Sequence, residues 1–231
     1  MNGGTPTRRL RVEIGEEVGN ARAFGFAVDW PGWCRGSKDH LLLPAALAAV
    51  APRYATVVAA AGLEFVAAPE ALEPSDFEIV ETINGSAGTD FGVPSGVAEA
   101  DRRPTTAADA ERIARLVGAA WTILDRVVAG APVELRKGPR GGGRDRDGIV
   151  AHCVTSDAAY ANQLGIKLRE PALDDRPAIL AGREAILAIL GQPSDGSPIA
   201  GRRWPARYAA RRIAWHAVDH AWEIEDKSEP A

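Results

Sequence analysis

Apolar and polar residues alternate near the start of the chain. Leu10, Val12 and Ile14, and then Phe24, Phe26 and Val28, fall on every second position. Period two puts one set of side chains on one face of an extended segment, so residues 8–14 and 22–28 are predicted strands. Residues 15–20, with Gly15, Gly19 and Asn20, supply a turn between them, and the pair reads as a hairpin. Pro31, Gly32 and Gly36 mark residues 29–36 as a loop. A helix is predicted over 42–61, with short strands over 64–66 and 77–83. This half reads as α+β.

Residues 84–103 are rich in Gly, Pro and small polar side chains and keep no period, which is the composition of a linker. Beyond them the period changes to 3.6. Thr106 with Asp109 forms a capping-box start, followed by an apolar stripe at Ile113, Leu116, Val117, Ala120, Leu124, Val127 and Val128. Gly130 and Pro132 end that helix. A second is predicted over 148–164, closed by Gly165. A third covers 177–190, opened by Asp174 or Asp175 and stopped by Gly191 and Pro193, and a fourth covers 205–225. Four such helices suffice to close a bundle around one core. The organisation predicted is an α+β domain over 1–84, a linker over 85–104 and a helical bundle over 105–231.

Composition narrows the function classes. With 46% hydrophobic and 25% charged residues in 231, the chain has the make-up of a soluble globular protein. Its 27 Lys and Arg against 31 Asp and Glu leave a formal charge of -4, which argues against a protein that coats nucleic acid by bulk positive charge. Cys34 and Cys153 are too few and too far apart for a disulfide framework or a zinc ribbon, which points to a reducing, cytoplasmic setting. Residues 1–11 lack the apolar core of a secretory signal. The nearest approach to a membrane span, residues 41–68, is broken by Pro44, Pro52, Arg53 and Glu64 and is mostly alanine, so it reads as a buried or half-buried helix.

The four histidines are the most informative feature. His216 and His220 are one helical turn apart, so both imidazoles project from the same face, which they share with Ile213, Ala217 and Ile224. An inward pair of this kind can bind one divalent ion, although a pair alone arises readily by chance. His152 changes the balance. It lies early in the second helix, its face carries Ile149, Ser156 and Ala159, and a neighbouring helix of a bundle can bring it opposite the pair. Three neutral imidazoles leave a tetrahedral site one ligand short, the arrangement of a catalytic rather than a structural ion.

His152 within Ile149-Val150-Ala151-His152, followed by His216-Ala217-Val218-Asp219-His220 on the last helix, resembles the metal-binding triad of the DinB/YfiT-like family. The run Arg212-Ile213-Ala214-Trp215-His216 and the order of four helices are similar as well. The resemblance spans residues 105–226. It implies an antiparallel four-helix bundle, a divalent metal, zinc or nickel, on three histidines, and in some members thiol-dependent transfer or isomerisation with mycothiol or bacillithiol. In the N-terminal half, Phe24-Gly25-Phe26-Ala27-Val28-Asp29 with Trp30-Pro31-Gly32-Trp33-Cys34-Arg35-Gly36 is similar to the strand, Pro-Gly turn and following helix of a HicB-like domain. No helix here reads as a DNA-recognition helix, so repression is not implied.

Several other side chains have a functional and a plain reading. The basic, glycine-rich loop from Lys137 to Arg146 offers Arg140 and Arg144 to a phosphate or carboxylate, or is simply solvated; it lacks the GK[ST] of a Walker loop. Asp219 and Glu223 either support a ligand imidazole or act as a base, or else form solvated ion pairs. Arg202, Arg203, Arg207, Arg211 and Arg212 crowd the start of the last helix against its dipole, so they pair with acids elsewhere or meet an anion. Cys153 reads as a small buried hydrophobe, Trp215 and Trp222 as packing residues, and His40 as a surface residue. Two functions follow. One is a metal-dependent enzyme acting on a small molecule, with a low-molecular-weight thiol as cofactor and a homodimer as its assembly. The other is an interaction module in which the triad is structural or vestigial.

Overall fold

A computed structural model describes residues 11–66, 68–138 and 142–228. Over the described residues the fold is a mixed α/β structure with a four-stranded sheet and six α-helices. Strands β1 (Val12–Val18), β2 (Ala23–Ala27) and β3 (Cys34–Ser37) form an antiparallel meander, and β4 (Phe77–Asn84) joins the free side of β1 in parallel, giving the order β3-β2-β1-β4. Helix α1 (Leu43–Ala60) makes the crossover and lays Leu43, Leu47, Ala51, Tyr54, Val57 and Val58 into the core. The segment His40–Ala60 is, among the described residues, the one helix long and apolar enough to cross a membrane; in the fold it is a core helix.

The predicted hairpin is present, but β1 runs on through residues expected to turn. Gly15 lies under the Phe26 ring, where a Cβ would come within 2.3 Å of the ring edge, so the close approach demands glycine. Glu17 is buried because the Thr89 hydroxyl and the Ser95 and Gly96 amides all donate to its carboxylate. The loop predicted over 29–36 is a tight turn at Trp30 to Gly32, with Gly32 at φ +98°, and then strand β3. Composition hid that strand, since Arg35 and Gly36 have low strand propensity and pair with β2 through the backbone. No strand forms over 64–66. Phe65 instead packs edge-on against Trp30, Trp33 and Tyr54, with centroids 4.8–5.6 Å apart.

The helical half follows its periodicity closely. Helix α3 (Ala107–Gly130) starts at the predicted capping box, in which the Asp109 amide donates to Thr106 Oγ1 at 3.2 Å and the Thr106 amide to the Asp109 carboxylate at 3.0 Å. Helices α4 (Arg146–Gln163), α5 (Arg176–Leu190) and α6 (Ala206–Ser228) follow, and Asp175 caps α5. Helix α3 packs on α5 and α6, and α4 packs on the same two, closing a ring of four.

The glycine-rich stretch before α3 contains the short helix α2 (Ala87–Phe91) and rests on α6, where Arg211 Nε donates to Asp101 Oδ1 at 3.1 Å. One cluster of buried side chains runs from Val12, Ile14 and Trp33 through α1 to Leu116, Ile149, Ile186 and Ile213.

Candidate metal centre

Helix α6 turns two faces to its surroundings. One rests on the sheet, with Trp215 edge-on to Phe24 at 6.1 Å and Trp222 beneath the guanidinium groups of Arg35 and Arg53. The other carries Arg212, His216 and His220 at intervals of four, a ladder of one residue per turn. Helix α4 presents His152, Ser156 and Tyr160 at the same interval. His152 meets His216 and His220, while Tyr160 meets His216 and Arg212, so the two helices run antiparallel and their ladders face each other.

The three histidines come together as their spacing predicted. One ring nitrogen from each lies within 4.8 Å of the other two. His152 Nε2 and His216 Nε2 are 3.0 Å apart. A tetrahedral ion with bonds of about 2.0–2.1 Å would hold two nitrogens about 3.4 Å apart, so a small opening of the pair admits one. His220 Nδ1 is 2.7 Å from Glu223 Oε2. A proton on Nδ1 donated to that carboxylate leaves Nε2 of His220 as the nitrogen free to bind, the arrangement in which a carboxylate orients a ligand imidazole.

The electrostatics suit neutral ligands. Burial, followed by the charges of His220, Arg212 and His152, pushes His216 down to about 2, and the residue is only 6% exposed. His152 is pushed down as well, first by burial and then by His220 and Arg144. Glu223 is held at about 2, first by its hydrogen bond with His220 and, against some desolvation, by Lys227. These shifts keep two imidazoles unprotonated and one carboxylate ionised at neutral pH.

The remaining candidates are distributed unevenly. Asp219 turns to Arg35 of β3 at 3.6 Å rather than to the imidazoles. Cys153 is buried and its thiol is pushed far up by burial, which suits a packing role. His40 is half-exposed, 3.9 Å from Glu16. Arg140 lies outside the described residues. Arg144 is exposed just before α4, and its charge reaches both His152 and His216. Tyr160 was not singled out from sequence, although its i+8 spacing from His152 places it on the same face of α4. Compared with known proteins, the chain matches no family model, and no curated protein or solved structure is significantly similar to it.

Proposed function

We propose that the chain is a DinB-like protein, with a HicB-like sheet domain preceding an antiparallel bundle. In this reading it holds one divalent ion, zinc or nickel, on His152, His216 and His220. It acts on a small electrophile with a low-molecular-weight thiol or water as nucleophile, as a transferase or isomerase. The observation that carries the reading is the convergence of three imidazoles with Glu223 behind one of them. Bound there, a divalent ion supplies Lewis acidity that lowers the pKa of a thiol or water.

The chain's own side chains do the rest. Burial keeps His216 neutral, Glu223 fixes the tautomer and ring orientation of His220, and Arg144 adds positive charge beside the site for an anionic cofactor. His220 retains 12% side-chain exposure and His152 is half-buried, so the cluster is reachable from solvent, which favours an enzyme over a sealed structural ion.

Adding Zn²⁺ or Ni²⁺ to chelator-treated protein is expected to raise its melting temperature, and His216→Ala to remove that response. An unchanged response in His216→Ala would overturn the ligand assignment. Titrating the Co²⁺-loaded protein with mycothiol, bacillithiol and glutathione tests the activity through the thiolate charge-transfer band. Silence with all three at millimolar concentration leaves the interaction module as the better reading.

A further inference from the structure

Among the described residues, the arginines that are buried or half-buried have oxygen partners, with one exception. Arg211 holds Asp101, Arg207 holds Asp29, Arg183 holds Asp125 and Asp157, and Arg112 donates to the Asp29 carbonyl. Arg212 makes no hydrogen bond or ion pair, and its Nη1 is buried without a partner. Leaving a charged donor unsatisfied costs more than an average hydrogen bond contributes, so such a group marks a place where a partner is missing.

Its surroundings say what kind of partner. The guanidinium lies over Trp215 at 4.7 Å and against Tyr160 at 5.6 Å, so two aromatic rings hold its plane and leave its edge to donate. It stands one turn before His216 on the ladder of α6, about 5–6 Å along the helix from the imidazole cluster. The acid nearest the triad, Glu223, is at the other end of the ladder and already engaged by His220 and Lys227. One fixed cation with a planar donor edge matches one planar monoanion.

We infer that Arg212 is an anion subsite of this centre, holding the carboxylate of a small ligand whose other end reaches the three histidines. The inference rests on the proposed metal centre and adds the substrate or cofactor class: a molecule with a metal-binding atom and a carboxylate about one helical turn apart. Tyr160 and Trp215 then serve as positioning residues that hold the guanidinium between their rings.

The test uses two probes that differ only at the distal group, 3-mercaptopropionate and 3-mercaptopropanol, titrated calorimetrically into the Zn²⁺-loaded full chain. The carboxylate probe is expected to bind about tenfold tighter or more, as one charge-assisted hydrogen bond allows. Arg212→Gln should erase the preference while leaving Zn²⁺ uptake unchanged, and Arg212→Lys, which keeps the charge but not the fork, should retain part of it. Equal binding of the two probes to the wild type, or a preference that survives in Arg212→Gln, overturns the subsite and leaves the metal centre standing. Absence of Zn²⁺ uptake by the wild type overturns the metal centre and the subsite together.

Discussion

Helix α4 borders two polar clusters that are chemically opposite. Toward α3 and α5, Asp157 accepts from Trp121 Nε1 at 3.2 Å and Arg183 Nε at 3.3 Å. Arg183 in turn grips both oxygens of Asp125 at 2.9–3.0 Å and lies over Trp121. Toward α6, among the described residues, His152 and His216 have only each other as hydrogen-bond partners, and Arg212 has aromatic faces and no oxygen. Asp157, Arg183 and His216 are 8%, 7% and 6% exposed, so the innermost groups of the two clusters are buried alike. Satisfaction does. The first is closed on itself and joins three helices, while the second is left incomplete by the chain that built it.

The largest effect that can break this contrast is loss of one partner in the closed cluster. Arg183→Ala leaves Asp157 with Trp121 alone and Asp125 with the more exposed Arg176, and is expected to destabilise the protein by about 3 kcal/mol in urea unfolding, as for broken buried ion pairs. A cost below about 1 kcal/mol would place the network in water. The open cluster should behave differently. At zinc a hundredfold above its dissociation constant, stabilisation should be about 2.7 kcal/mol, and His220→Ala should abolish it.

Acid sharpens the comparison, because the two clusters titrate in opposite senses. His216 lies near 2 in the fold and at the ordinary 6.5 when unfolded, so below pH 6.5 the unfolded chain takes up a proton that the fold refuses. Its contribution is present above pH 6.5 and falls, as pH drops, by up to about 1.4 kcal/mol per unit. Asp157, raised to about 6 by desolvation against the pull of Arg183, binds its proton in the fold first and gains stability as pH falls from 6 toward 3.8. In metal-free protein Asp157→Asn should therefore steepen the loss of stability between pH 6 and 4, and His216→Gln should flatten it. Parallel curves for the two variants would contradict the assignment. Smallest of all, Thr106→Ala lies outside both clusters and should cost about 1 kcal/mol through its cap, with zinc binding unchanged.

What was legible in the sequence divides local signals from those that depend on distant partners. The helices announced themselves because the stripe on α3, the Thr106–Asp109 box and the Asp175 cap are local signals, and the triad because its pair is a single turn of one helix. Strand β3 and the continuation of β1 through Glu16 and Glu17 were not legible, since their burial depends on partners distant in sequence: Thr89, Ser95 and Gly96 for Glu17, and the β2 backbone for Arg35 and Gly36. Among the five arginines at the head of α6, only the fold separates Arg207 and Arg211, which found acids, from Arg212, which found none.

The sheet's outer edge also sets an order of assembly. β1 and β2 meet across a tight turn, Ile14 opposite Ala27, and can zip within microseconds of collapse. β4 must wait, because Val12 pairs with Phe77 only after β3 and the whole of α1 have been laid down between them. Joining strands so distant along the chain carries a loop-closure cost that no local contact offsets in advance. The parallel edge is therefore expected to close late, and until it does, β1 presents an unpaired backbone edge.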